Sequence, residues 1–143
     1  MNVWSGSDYS NSSQGFIANN LSVINPSTEW SVNGNQSIKL TNDSIDGGVF
    51  CRINDTNVSE GDDVSFKVHV LNRNNHKIYA QIIQINSVGA QTQLLVEIPH
   101  SESEQIITVS KNIDQAIDGI YCQVSGVTIN DIVFIDELSL TKG

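Results

Sequence analysis

The chain has 143 residues, a length that suits one domain and allows a substantial buried core. Seven Lys and Arg residues face sixteen Asp and Glu residues, and the resulting formal charge of −9 argues against nucleic acid as a partner, since that polymer is bound through cationic side chains. No apolar stretch reaches the roughly 18 residues of a membrane helix, so membrane insertion is not expected.

Polar and apolar residues alternate along most of the chain, and this pattern sets the predicted elements. Residues 1–13, rich in Ser and Asn, are predicted to be a loose N-terminal lead-in, and residues 14–143 a single domain. Residues 63–70 alternate without a break, which is typical of a strand with one buried face. The same criterion predicts strands at residues 14–24, 28–33, 36–42, 47–54, 62–72, 77–86, 92–98, 104–111, 116–125 and 131–141.

Turn sequences such as Asn33-Gly34 and Asp118-Gly119 separate these strands. A strand about every ten residues is typical of an antiparallel sandwich or barrel and not of βαβ units. Residues 112–117 are compatible with one helical turn, and no longer segment has a helical pattern. We therefore predict an all-β protein, an antiparallel β-sandwich of two sheets. The side chains expected to be buried together in its core are Phe66, Val68, Ile82, Val124 and Ile135.

The chain contains two cysteines, Cys51 and Cys122, which are too far apart in sequence to form a metal-binding motif. Two interpretations remain open. The two thiols form a disulfide across the sandwich, or each is a small buried apolar residue.

Three segments, in chain order, resemble a known family. Trp30, Gly34 and the run Q-S-I-K-L at residues 36–40 resemble the W…G…S-L-K-L opening of jelly-roll carbohydrate-binding modules, which are related to the galactose-binding-domain-like fold. Residues 60–70 resemble the G-x-x-Y-x-F-S-x-x-V-K strand of those modules, and residues 133–140 resemble their closing F-x-I-D-D-V-x-L strand. The likeness spans residues 15–141 as an ordered pattern.

Two segments depart from that family pattern. Asp63 stands where the middle strand usually has Tyr, and Ser-Glu-Ser-Glu at residues 101–104 stands where a Trp-Thr pair is usual. These departures bear on sugar binding more than on the fold, because one fold serves many functions.

The resemblance implies a jelly-roll sandwich that acts as a non-catalytic carbohydrate-binding module of a larger extracellular or cell-surface protein, with a polysaccharide or glycan as its partner. The alternative is a structural or protein-binding domain of the same fold, as in an adhesin or a tail fibre. Catalysis is not expected. The sequence has no Gly-x-Ser-x-Gly elbow, and its candidate acid pairs, at residues 62–63 and 102–104, lie in predicted turns and loops.

The resemblance also implies a structural calcium ion that ties the N-terminal strand to the closing strand. Asp136 matches the Asp of the closing strand that gives its carboxylate to this ion, and carboxylate oxygens are ligands that calcium prefers. A carboxylate that only caps backbone amides is the alternative for Asp136.

The phase of each strand predicts which side chains face away from the core. Lys67 and His69 are out of phase with the apolar residues of their strand, so they are expected to point outward. Aromatic rings pack against sugar rings, and amide or Arg groups form hydrogen bonds with sugar hydroxyls. Outward-facing aromatic, amide and Arg side chains therefore suit a glycan. An ordinary solvent-facing sheet, or a site in the loops around Trp30 or residues 72–76, is the alternative. If four strands share one sheet, the predicted binding patch comprises Phe50, Arg52, Lys67, His69, Tyr79, Gln81, Tyr121 and Gln123.

Overall fold

The computed structural model describes residues 2–6, 16–19, 22–27, 29, 37–42, 47–53, 58–86, 91–128 and 130–143. Within these residues the chain forms strands and connections and no helix, so none of the described segments is a helix that could cross a membrane. The strands are β1 (Asn2–Gly6), β2 (Phe16–Asn19), β3 (Ser22–Ser27), β4 (Ser37–Asn42), β5 (Gly47–Ile53), β6 (Asp63–Leu71), β7 (Ile78–Ile85), β8 (Gln91–Ile98), β9 (Gln105–Asn112), β10 (Gly119–Val127) and β11 (Ile132–Lys142).

The strands form two antiparallel sheets. The first sheet has the order β3-β4-β11-β6-β9, with β1 added along β11. The second sheet has the order β2-β5-β10-β7-β8. Consecutive strands often lie in opposite sheets, as β6 and β7 do, so the connections cross from one layer to the other. The predicted all-β sandwich of two antiparallel sheets is confirmed.

The core lies between the two sheets and is built from the apolar phase of each strand. Phe66 and Val68 of β6, Ile82 of β7, Val124 of β10 and Ile135 of β11 all belong to one buried cluster, as predicted. Burial of a large apolar side chain stabilises a fold by about 1.5–3 kcal/mol, which explains why alternation alone locates these strands so well. From residue 36 onward the predicted strands match β4 to β11 within three residues at each end.

The N-terminal part of the chain differs from the prediction. Within the lead-in assigned to residues 1–13, Asn2–Gly6 forms β1, which pairs with the closing strand from Leu138 to Thr141. The single strand predicted at 14–24 is two strands, β2 in the second sheet and β3 in the first. Asn residues at 19 and 20 break the alternation there, which suits a change of layer. The strand predicted at 28–33 falls outside the described residues except for Glu29, which lies in a bend.

The segment at residues 112–117 does not form the predicted helical turn. The backbone after β9 is an irregular connection held by Gln84. The Nε2 atom of Gln84 donates to Asp114 Oδ1 at 3.0 Å, and its Oε1 atom accepts from Asp114 N at 3.1 Å.

Cys51 and Cys122 lie directly opposite each other on neighbouring strands of the second sheet. A disulfide between them would therefore join two strands of one sheet and not bridge the sandwich.

Candidate functional site

Six of the eight predicted binding residues occupy neighbouring positions on one face of the second sheet. β5, β10 and β7 are adjacent in that sheet. The register places Tyr121 opposite Arg52, and Gln123 between Phe50 and Gln81. These positions alternate with the core-facing positions of the same strands, so they share the face turned away from the core. We call this the outer face of the second sheet, with the positions Phe50, Arg52, Tyr79, Gln81, Tyr121 and Gln123.

Side chains near the middle of this outer face are buried by their neighbours. Gln81 is only 8% exposed, and its Nε2 donates to Ser125 Oγ on the adjacent strand. Ile83, which lies opposite Tyr121, is also buried although it is not part of the core cluster. The Gln81 amide is therefore tied to the adjacent strand, while Gln123 and Tyr79 remain partly exposed.

The ring of Tyr79 rests on a β-bulge of the neighbouring strand. Register between β10 and β5 shifts between Ser125 and Val127, and Gly126 between them has a φ of 81°. A Cβ at Gly126 would lie 2.9 Å from Cδ2 of the Tyr79 ring, closer than carbon atoms normally approach. The absence of a side chain at Gly126 thus leaves room for the Tyr79 ring. Glycine also adopts the positive φ at this position without the energetic cost that other residues would have.

Lys67 and His69 do not belong to this site, and the prediction of a single eight-residue patch is wrong. Their strand, β6, lies in the first sheet, on the opposite side of the sandwich from β5, β7 and β10. Lys67 is exposed, but His69 is only 7% exposed because it sits mid-sheet between Asp136 of β11 and Ile106 of β9. The alternation of polar and apolar residues along a strand shows which side chains face the core. It does not show which of the two sheets the strand joins.

Asp136, the predicted calcium ligand, is 1% exposed in the first sheet. The pairing of β11 with β6 shifts register between Asp136 and Ser139, and the pairing of β1 with β11 begins at Leu138. Among the described side chains, no group of three or more His, Cys, Asp or Glu residues is arranged to hold a metal ion. Asp136 is thus a buried carboxylate beside a bulge.

The loops that join the two sheets carry a polar cluster that strand phase cannot detect. His76 Nε2 lies 2.6 Å from Asp131 Oδ2, and this contact links the β6–β7 loop to the β10–β11 loop. The Thr128 amide donates to the same carboxylate oxygen at 2.7 Å. His76 Nδ1 also lies 2.9 Å from the carbonyl oxygen of Lys77.

The Asp131 carboxylate and the Lys77 carbonyl both accept hydrogen bonds, so together they favour the imidazolium form of His76, in which both ring nitrogens donate. Partial burial lowers the pKa of His76, but the bonds to the Lys77 carbonyl and the Asp131 carboxylate outweigh it and raise the pKa above its ordinary value. In the sequence, this cluster is marked only by the Asn- and His-rich segment at residues 72–76. Many polar turns have a similar composition, so the sequence alone does not identify the cluster.

No protein-family model matches the sequence, and no curated protein sequence matches it. Solved structures are similar to the chain in fold. The CBM22-1 xylan-binding domain of Paenibacillus barcinonensis Xyn10C has a TM-score of 0.78 and 13% identity, over 99% of this chain and 94% of that domain. The C-terminal family 22 carbohydrate-binding module of Clostridium thermocellum Xyn10B has a TM-score of 0.74 and 13% identity, over 98% of this chain and 92% of that module.

A third similar structure belongs to a much longer chain. The enzymatically active domain of bacteriophage CBA120 tailspike protein 4 has a TM-score of 0.74 and 9% identity, and the match covers 90% of this chain but 19% of that chain. At such low identity these similarities establish the architecture alone. The chain has the jelly-roll β-sandwich fold of carbohydrate-binding modules.

Proposed function

We propose that the chain is a non-catalytic carbohydrate-binding module of a larger extracellular or cell-surface protein, and that it binds a polysaccharide on the outer face of the second sheet. The observation that carries the proposal is the register of β5, β10 and β7, which brings two Tyr positions, a Phe, an Arg and two Gln into adjacent rows. Three strands about 4.8 Å apart span about 10 Å, so the rows form a surface and not a single contact.

The chemistry of these rows suits sugar. Aromatic rings offer a flat apolar surface to the C–H faces of sugar rings, Arg and amide N–H groups donate to hydroxyl oxygens, and amide oxygens accept from hydroxyls. Surfaces of this type combine an apolar floor with a few polar groups that fix orientation. Ile83 supplies buried apolar floor beside Tyr121, and the half-buried Tyr79 ring is held in place by the bulge at Gly126.

A binding role is better supported than hydrolysis. Glycoside hydrolysis uses two carboxylates that converge on one bond. Among the described positions of this outer face, the register places one carboxylate, that of Glu97 opposite Tyr79, and Glu97 is ion-paired with Lys77 at 2.9 Å. Asp63 is on β6 of the first sheet and Glu102 is in the β8–β9 loop, and each has a partner of its own, Asn112 and Arg73 respectively.

A structural or protein-binding role in a fibre is the second candidate. It rests on the similarity to the phage tailspike domain, in which a sandwich of this shape matches a small part of a long chain. The two candidates differ in one measurable property, which is binding to immobilised polysaccharides and glycans.

Binding of the wild-type chain to a glycan and polysaccharide array is therefore the first measurement, and we expect at least one carbohydrate to bind. For that carbohydrate, Tyr121→Ala and Gln123→Ala should weaken affinity by 1 kcal/mol or more, about fivefold, which is the usual effect of removing an interfacial contact of this kind. Lys67→Ala is the matched control, because Lys67 is exposed on the other sheet. Equal affinity for Tyr121→Ala and Lys67→Ala would exclude the outer face of the second sheet as the site.

We also propose a structural calcium ion at Asp136. Its support is a buried carboxylate beside a register shift, since a bulge leaves backbone groups outside the ladder and carbonyl oxygens are common calcium ligands. Calcium at about a hundred times its dissociation constant would stabilise the fold by about 2.7 kcal/mol. For a chain of this size that raises the melting temperature by roughly 5–10 °C.

Calorimetry on metal-free protein, with and without added calcium, measures this shift. Asp136→Asn is expected to abolish the calcium response, whatever its effect on the starting stability. A melting temperature of the wild-type chain that does not change with calcium or chelator would leave Asp136 as a hydrogen-bond acceptor.

A further inference from the structure

A pocket of about 300 Å³ lies on the first sheet, on the side of the sandwich opposite the proposed polysaccharide face. Its floor is formed by Leu71 and Phe134, which are opposite each other on β6 and β11. Both side chains are buried, yet neither belongs to the core cluster, because both occupy the phase that faces away from the core. The remaining lining residues are Glu29, Arg73, Asn74, Asn130 and Ile132.

The rim of this pocket carries both signs of charge. Glu29 is bound to Lys39 at 2.5 Å, and the Lys39 ammonium lies 5.8 Å from the centre of the Phe134 ring. Arg73 is largely exposed, with a loose 3.8 Å contact to Glu102. The rim thus offers a carboxylate, a guanidinium and the Asn130 amide around an apolar floor, with no strong net charge.

The walls of the pocket are held by hydrogen bonds between two loops. Asn74 Nδ2 donates to Ile132 O at 2.9 Å, and Ile132 N donates to Asn74 Oδ1 at 3.2 Å, which fixes the β6–β7 loop to the start of β11. The contact of His76 with Asp131 joins the same two segments a few residues away. A site with fixed walls binds without the entropic cost of ordering loops.

We infer that this pocket is a second, independent carbohydrate site, which takes the terminal sugar of a neutral glycan. Its volume lies at the lower end of small-molecule pockets, so it suits a chain end better than the interior of a polymer. The Glu29 carboxylate accepts from neighbouring hydroxyls, Arg73 and Asn130 donate to ring or hydroxyl oxygens, and Phe134 and Leu71 contact C–H groups. The inference shares the ligand class of the proposed function but not its surface.

Titration of the 15N-labelled chain with D-glucose, D-galactose, D-mannose, D-xylose and L-arabinose, one at a time, tests this site by NMR. At least one of these sugars should shift the amide signals of Arg73, Asn74 and Ile132. Arg73→Ala and Asn130→Gly should each weaken that binding about fivefold or more. Both are expected to fold, because Arg73 is exposed and Asn130 already has the positive φ of 68° that glycine accepts readily.

Lys67→Ala is the matched control, since Lys67 is exposed on the first sheet but does not line the pocket, and it should leave the shifts of the pocket signals unchanged. The outcome in which no sugar shifts the pocket signals overturns the second site, whether or not a polysaccharide binds elsewhere. Shifts confined to the second sheet overturn it as well, and leave the proposed polysaccharide face standing. Pocket shifts that Arg73→Ala removes, with polysaccharide affinity retained, support two separate sites.

Discussion

Replacement of Asn72 by Asp is expected to lower the free energy of unfolding by about 3 kcal/mol or more. Asn72 has no exposed surface, and its Nδ2 lies 3.1 Å from His76 O, 3.2 Å from Ile98 O and 3.4 Å from Pro99 O. Asp has the same shape but no donor at this position. Each buried carbonyl that loses its partner costs about 1–3 kcal/mol, and a buried carboxylate facing carbonyl oxygens adds electrostatic repulsion.

Denaturant unfolding at neutral pH measures the loss, and Asn75→Asp serves as its control. Asn75 is an exposed residue of the same loop, so the same change in charge there should leave stability within about 0.5 kcal/mol. Similar losses in both variants would mean that added charge, and not the buried amide, accounts for the effect. Asn72 Oδ1 also accepts from Asn74 Nδ2 at 2.9 Å, so a displaced residue 72 would also disturb Asn74, which lines the pocket on the first sheet.

The strands could be predicted from the sequence because their information is local. In β6 and β7, alternation of polar and apolar residues distinguishes the face that contacts the core from the face that does not, and the buried clusters of the structure follow that phase. Membership of a sheet is not local. It depends on pairings such as that of β6 with β11, about seventy residues apart in sequence. Strand phase alone therefore assigns Lys67 and Tyr79 to one surface, although they lie on opposite sides of the sandwich.

The exposure of a side chain also depends on neighbours that come from distant parts of the chain. His69 and Gln81 have the outward phase, but both are in central strands whose adjacent side chains cover them. The pocket on the first sheet poses the same problem, since Glu29, Arg73 and Asn130 meet only after the sandwich has formed. Their sequence context, polar residues in turns, is the same as that of many surface loops.

Gly126→Ala is expected to destabilise the domain by roughly 2–5 kcal/mol and to weaken polysaccharide binding by about fivefold or more. A non-glycine residue in the left-handed region costs about 1–2 kcal/mol, and a Cβ 2.9 Å from the Tyr79 ring forces further displacement at about 1–3 kcal/mol. The Tyr79 ring would have to move away from the bulge at Gly126. An aromatic surface of the proposed polysaccharide face would then be misplaced.

Gly61→Ala separates the two contributions. Gly61 also has a positive φ, of 96°, but a Cβ there would meet no atom within 4 Å, so this variant should show the backbone cost alone and leave polysaccharide binding unchanged. The difference between the two variants measures the contact with Tyr79, and it should vanish when Gly126→Ala is made in a Tyr79→Ala background, because the ring is then absent. If Gly126→Ala and Gly61→Ala lose equal stability in the wild-type background, the ring moves aside at no cost, and Gly126 does not hold Tyr79 in place for a ligand.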